Sequence, residues 1–165
     1  MGEAAFLTSY LLMIQEFLKT APLFRELEDE ELIQVLMVGL VRRFPAGTAI
    51  LTEGQTGGQL VVIHEGQVRI SKVVPGVGEE ALTILQPGDF FGELELLDGF
   101  PAAAHAVAHT DCEVLAIPHR EVEALMAERP ALAAKFLRAF GLRLAARVRE
   151  TNQRLASLFA ISRTF

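Results

Sequence analysis

Gly88-Asp89-Phe90-Phe91-Gly92-Glu93-Leu94-Glu95-Leu96-Leu97, followed by Pro101-Ala102-Ala103-Ala104-His105-Ala106-Val107-Ala108, holds the residues best suited to chemistry in this chain. Gly88 and Gly92 permit a tight backbone course. The stretch from Gly92 to Leu96 can form one short helical turn whose amide N–H groups converge on an anion. The Glu93 carboxylate suits the hydroxyls of a ribose. The arrangement reads as a phosphate cradle from which the positive charge has been removed, since neither Lys nor Arg occurs between Gly88 and Ala108.

The other reactive side chains form no constellation. Cys112 is the single cysteine, so there is no internal disulfide framework and no cysteine metal cluster. The four histidines are His64, His105, His109 and His119. A cupin-type metal site needs a His-x-His pair, and His64 is followed instead by Glu65 and Gly66. His105 and His109 share one face of an expected strand but stand about 13 Å apart, too far to bind one metal. No base accompanies Cys112 or any serine as a nucleophile would require. Catalysis and a resident metal are therefore not expected.

These residues must be positioned by elements that the hydrophobic periodicity outlines. Ala4 to Leu18 reads as a helix with Phe6, Tyr10, Met13, Ile14 and Phe17 on one face, stopped by Pro22. Glu28 to Val38 reads as a second helix burying Leu32, Val35 and Leu36. From Val41 to Pro118, short strands alternate with glycine-rich turns. The clearest are Val61–Ile63, Val68–Ile70, Ala81–Leu85 and a run from Val107 to Ile117. That spacing predicts a β-roll or jelly roll. A short helix follows from Pro118 to Met126, and Pro130 opens a long one reaching Leu158. Its apolar seam of Leu137, Phe140, Leu144, Val148, Thr151, Leu155 and Leu158 advances in steps of three and four, the spacing of a coiled coil. The first half of the seam is expected to pack on the roll and the second to outrun it.

Composition narrows the class. With 51% hydrophobic residues in 165, the chain is not disordered. No apolar run is long enough for a membrane span, the N-terminus lacks a basic start, and Phe6 stands where an acylation signal needs Ser or Thr. A cytoplasmic setting is expected. From Pro130 onward seven basic side chains face Glu150 alone, a charge of +6, so the remainder of a chain of net charge −6 carries −12. Glu26, Glu28, Asp29, Glu30 and Glu31 concentrate part of that negative charge. The basic tail is expected to be a solvated helix face, and direct contact with DNA is not expected.

Seven segments in register resemble the cyclic-nucleotide-binding domain family, in its catabolite-activator-like regulatory form. They are the entry strand Phe44-Pro45-Ala46-Gly47-Thr48-Ala49-Ile50-Leu51, then Glu53-Gly54, Gly57-Gly58, Ile63-His64-Glu65-Gly66-Gln67-Val68, Leu85-Gln86-Pro87-Gly88-Asp89, the cassette itself, and Val114-Leu115-Ala116-Ile117. The resemblance implies a mainly β fold: a double-stranded β-helix, or jelly-roll β-roll, over residues 41–118. It also implies N-terminal helices over 1–40 and C-terminal helices with a dimerisation or interaction seam over 119–165. It places candidate ligand contacts at Gly92, Glu93, Leu94, Glu95, Ala102, Ala103 and His105. The family's phosphate-binding arginine falls at Ala102, and its small residue after Glu-Leu falls at Glu95. Arg69, Lys72, Arg147 and His105 are candidate substitutes for the missing cation, and Thr151 is a candidate to face a base.

The expectation is thus a non-catalytic regulatory module, weak or degenerate for cyclic AMP and cyclic GMP. It would act as a homodimer through its last helix or by binding a protein partner. Two alternatives stand beside it. One is a genuine sensor of a cyclic mono- or dinucleotide controlling signalling or transcription. The other is a metal- or haem-binding roll using His64 or His105. The chain ends at Phe165, before any DNA-reading domain, so it is expected either to serve as a stand-alone regulatory or scaffolding subunit or to be a fragment of a longer protein.

Overall fold

The computed structural model describes residues 2–162; the side chain of Phe6 and all of Arg163 lie outside the described residues. The first helix, α1 (Gly2–Thr20), stops ahead of Pro22. It buries Ile14 and Leu18 with Tyr10 and Phe17 packed beside them, whereas Met13 is exposed. Tyr10, Ile14 and Leu18 form one i, i+4 row, and Met13 sits about 100° off it, so the expected face is corrected at that residue. In α2 (Asp29–Val38), Glu28 is the cap rather than the first helical residue. The Glu31 carboxylate accepts the Glu28 N–H at 2.8 Å as half of a capping box, and three acidic residues in the first turn suit the helix dipole.

Among the described residues, eight strands form two antiparallel sheets. One runs β1 (Leu40–Phe44), β8 (Cys112–Pro118), β3 (Gln59–Glu65) and β6 (Phe90–Phe91). The other runs β2 (Ala49–Leu51), β7 (His105–Ala108), β4 (Val68–Val74) and β5 (Gly78–Leu85). The sheets enclose Phe44, Val61, Ile63, Val68, Ile70, Phe91, Ala106 and Val114. On its other face the first sheet packs Leu60, Val62, Phe90, Leu115 and Ile117 against the helices. Burial on both faces explains why Leu60–Ile63 of β3 and Val114–Ile117 of β8 read as continuous apolar runs rather than alternating ones.

Two expected strands are each two. The run from Val107 to Ile117 leaves the second sheet after Ala108 and enters the first at Cys112. The corner between them is tied down by polar groups. The His109 N–H donates to the Gln67 carbonyl at 2.8 Å, Thr110 Oγ1 accepts the Gln67 N–H at 3.0 Å, and Asp111 Oδ1 accepts the Ala46 N–H at 2.8 Å. The entry strand Phe44–Leu51 likewise divides, its two ends lying in β1 and β2 in different sheets.

After α4 (His119–Glu128), α5 (Pro130–Ser162) runs for 33 residues, about 50 Å at 1.5 Å per residue. It docks through Leu132, Phe136 and Phe140, all buried. The expected seam is corrected here. Leu137 is exposed and does not pack on the roll, and Phe140 belongs to the monomer core. The residue that continues the exposed row is Gly141, so Leu137, Gly141, Leu144, Val148, Thr151, Leu155 and Leu158 follow strict steps of four and three. No helix of the described residues is long and apolar enough to cross a membrane.

The charge asymmetry resolves into ion pairs within the chain. Lys135 of α5 meets Glu31 at 2.6 Å, Arg138 meets Glu26, and Arg129 meets Glu30 at 3.5 Å. A more buried cluster fixes α1 to the first sheet. Glu113 accepts hydrogen bonds from His64 Nδ1 at 2.8 Å, from Arg43 Nε at 2.7 Å and from the Tyr10 hydroxyl, while Phe17 packs edge-on to the His64 ring at 4.8 Å. Burial acts to raise the Glu113 carboxyl, but these donors outweigh it and hold the group below the usual carboxylate value. A carboxylate depressed in the folded state stabilises above its unfolded value of about 4.3, and the contribution is lost as pH falls through the folded value. Glu113→Gln is therefore expected to lose about 2 kcal/mol at pH 7 by urea titration, and the gap to wild type should close as pH falls below about 4.3 and through the lower folded value. A gap independent of pH would assign the loss to packing instead.

Candidate functional site

Phe91 ends β6 and the chain turns at Gly92 into α3 (Glu93–Asp98). Gly92 has φ +89°, and a Cβ there would stand 2.1 Å from the Gln59 carbonyl oxygen. Both the backbone sign and the close approach to β3 demand glycine. His119, the first residue of α4, locks the turn by donating from Nε2 to the Gly92 carbonyl at 2.8 Å. The cassette is thus clamped between β3 on one side and α4 on the other.

Above this turn lies a cavity of about 460 Å³. The second sheet supplies Ile70, Leu82, Ile84 and Ala106, the cassette supplies Gly92 to Glu95, and the loop before β7 supplies Ala102 to Ala104. The second half of α5 lies across it with Arg143, Ala146, Arg147, Glu150, Thr151 and Arg154. Of the residues expected here, the structure brings together Gly92, Glu93, Leu94, Glu95, Ala102, Ala103, His105, Arg147 and Thr151. It does not bring Arg69 and Lys72 to the cavity lining. Arg69 Nη2 reaches Glu79 at 3.3 Å, and Lys72 is engaged by the Ala103 carbonyl at 3.0 Å and Glu53 at 3.3 Å.

Two carboxylates dominate the cassette. Glu93 is 2% exposed and meets Arg147 Nη1 at 3.4 Å. Glu95 turns toward the loop between β2 and β3, where Oε1 accepts the Gly57 N–H at 2.7 Å and the Gly58 N–H at 3.4 Å. Its Oε2 lies 3.9 Å from His119 Nδ1, beyond hydrogen-bonding range. Leu96 packs into the helix-side core, while Leu94 opens onto a groove beside Leu144 and Val148 of α5. The His105 ring is held by Glu53, whose N–H donates to Nδ1 at 3.2 Å. His64 is occupied by Glu113 and Phe17 as described, and the described residues hold no group of three or more His, Cys, Asp and Glu that could bind a metal ion.

Arg143 and Arg154 are cavity residues that sequence reasoning did not nominate. Arg143 meets Asp89 at 3.1 Å, with its guanidinium 6.0 Å from the Phe90 ring centre, and Arg154 donates to the Leu82 carbonyl at 2.9 Å. The signal was available: positions 143, 147, 150 and 154 step by four, three and four, which puts them on one helix face continuing the row of Leu132, Phe136 and Phe140.

A two-layered roll with a glycine-framed cassette, and a helix lying over the cavity, defines a small-ligand-binding domain. Comparison with known proteins agrees. Residues 41–129 match the cyclic nucleotide-binding domain. The cyclic AMP receptor protein of Thermus thermophilus is 37% identical over 138 residues, covering 84% of this chain and 62% of that protein. A CRP-like cAMP-activated global transcriptional regulator of Mycobacterium tuberculosis is 31% identical over 145 residues, covering 88% of this chain and 63% of the regulator. The crystal structure of a cyclic nucleotide-binding domain from Methylobacillus flagellatus superposes with a TM-score of 0.76 at 28% identity, over 88% of this chain and 82% of that one. The chain belongs to the cyclic nucleotide-binding domain family. It spans a little under two thirds of the length of the two curated regulators.

Proposed function

We propose that the chain is a non-catalytic regulatory module of this family, that its cavity takes cyclic AMP and cyclic GMP only weakly, and that it acts through α5 by self-association or partner binding. The observation that carries this reading is Ala102. It is buried on the cavity wall at the position where the family resemblance puts the phosphate-binding arginine. The arginines on the cavity lining are already engaged, Arg143 by Asp89, Arg147 by Glu93 and Arg154 by the Leu82 carbonyl. A bidentate guanidinium ordinarily provides much of the hold on such a phosphate. Losing it costs about 2–5 kcal/mol, a factor of roughly 30 to several thousand in affinity.

Calorimetry is expected to give dissociation constants of about 100 μM or weaker for both cyclic nucleotides. Ala102→Arg should tighten cyclic AMP by about 30-fold or more. Because the Glu95 carboxylate anchors the Gly57 amide, the single substitution is a cleaner test than one that also removes Glu95. Micromolar binding by wild type would overturn the reading.

A further inference from the structure

The cavity's ionisable lining suits a ligand without a phosphate. Four carboxylates line it, Asp89, Glu93, Glu95 and Glu150, against the three guanidiniums of Arg143, Arg147 and Arg154. An anion entering this space would add a further negative charge to a wall that already carries an excess of one, with no cation on the cassette to receive it. A dehydrated anion left unpaired is strongly disfavoured. A neutral hydroxyl meets the opposite situation, because O–H···O⁻ bonds to carboxylates are short and charge-assisted.

The two cassette carboxylates have the capacity to make such bonds. An ionised carboxylate accepts about four hydrogen bonds. Glu93 is contacted by Arg147 through Oε1 at 3.4 Å, and Glu95 receives both of its amide bonds on Oε1. Both residues line the cavity, and the bonds named here fall on Oε1 alone, with Glu95 Oε2 3.9 Å from His119 Nδ1. Ile70, Leu82 and Ile84 of the second sheet also line the cavity and offer an apolar surface to a flat ring. The family's described ligands combine a base, a sugar and a cyclic phosphate, and here the phosphate has no cassette arginine to pair with.

The geometry points to an uncharged nucleoside as the ligand class of this cavity, with its sugar hydroxyls held by Glu93 and Glu95 and its base against the wall of the second sheet. This rests on the reading of the site as weak for cyclic nucleotides, and it adds what the site selects instead. Glu95 becomes a specificity-determining residue: it fixes the loop at Gly57 and excludes phosphate by charge.

Calorimetry with adenosine, guanosine, inosine, cytidine and uridine, each beside its 3′,5′-cyclic phosphate, tests this. At least one nucleoside is expected to bind ten-fold or more tightly than its cyclic phosphate. Glu95→Gln, which keeps an acceptor oxygen for the Gly57 amide, should narrow that ratio by ten-fold or more, with circular dichroism and melting temperature confirming the fold. Ala102→Arg, which leaves both carboxylates in place, should narrow it in the same direction from the other side of the cavity. No nucleoside binding below 1 mM would overturn the inference while leaving the weak-site reading intact. A cyclic phosphate binding at micromolar concentration and more tightly than its nucleoside would overturn both. Unchanged ratios in both folded variants would remove the charge argument and the inference with it.

Discussion

Gly92→Ala is expected to lower the melting temperature by at least about 10 °C, whereas Gly88→Ala should lower it by about 2–8 °C. The two glycines have nearly the same backbone, φ +89° and +90°, so an alanine at either carries the same left-handed cost of about 1–2 kcal/mol. They differ in what a methyl group would meet. Nothing lies within 4 Å of a Cβ at Gly88, but one at Gly92 would stand 2.1 Å from the Gln59 carbonyl oxygen and 3.2 Å from its carbon. That neighbour cannot recoil easily. It belongs to β3, which is hydrogen-bonded to β8 on one side and β6 on the other, while His119 holds the Gly92 carbonyl from the far side. A non-glycine residue at 92 therefore adds overpacking to strain, a total of more than about 4 kcal/mol. Paired thermal melts give the answer directly. Equal shifts for the two variants would mean that the turn relaxes away from β3 and that the cassette is not rigid.

The cassette was legible in the sequence because its constraints are local. Gly92 marks a left-handed turn, Glu93 to Leu96 a helical one, and both occur where the residue order puts them. The roll itself was legible from strand spacing, and the long helix from its periodicity. Strand division was not. Val107 to Ile117 is a nearly continuous extended run, and what splits it is a corner whose ties come from residues about 40 to 65 positions away, Gln67 and Ala46. Periodicity over a short window contains no record of such partners.

The same limit governed the site. The family resemblance pointed to Glu93, Ala102 and Arg147 as site residues, but not to the direction in which Glu95 turns. Its carboxylate is claimed by the amides of Gly57 and Gly58, and only the folded path of that loop brings them near. Lys72 sits on a strand beside the cavity and was a reasonable substitute cation until Glu53 and the Ala103 carbonyl were seen to hold it. Charge counting separated an acidic front from a basic tail. It did not reveal that Glu26, Glu30 and Glu31 sit within reach of Arg138, Arg129 and Lys135 and pair with them in space. The apolar seam was nearly right, and its one misplaced residue is informative. Phe140 fits the periodicity of the seam yet belongs to the core, because α5 carries two adjacent rows and this aromatic packs with Phe90 and Phe136 on the buried one.

Those two rows lead to a second large expected effect. The row through Leu132, Phe136, Phe140, Arg143 and Arg147 faces the roll and its cavity, and the seam from Leu137 to Leu158 lies about a third of a turn away from it. Leu137, Val148, Leu155 and Leu158 are 45–62% exposed, an apolar stripe running along most of the helix in coiled-coil spacing. Capture by the N-terminal helix was the alternative, but Met13 is itself exposed and Phe17 packs on His64. A second α5 in parallel register would cover the stripe, with Gly141 at the seam letting the two backbones approach closely. Light scattering at 100 μM is expected to give about twice the chain mass of 18.1 kDa. Leu155→Glu should return it to a single chain, because it forces a carboxylate into an apolar contact. Leu142→Glu, equally exposed on the same helix but about 130° from the seam, should leave the mass doubled. A wild-type mass of one chain at that concentration would end the dimer proposal, and an equal effect of both substitutions would show that helix charge rather than the seam governs assembly. Thr151 belongs to both the cavity lining and the seam, so occupancy of one would be felt directly at the other if the dimer forms.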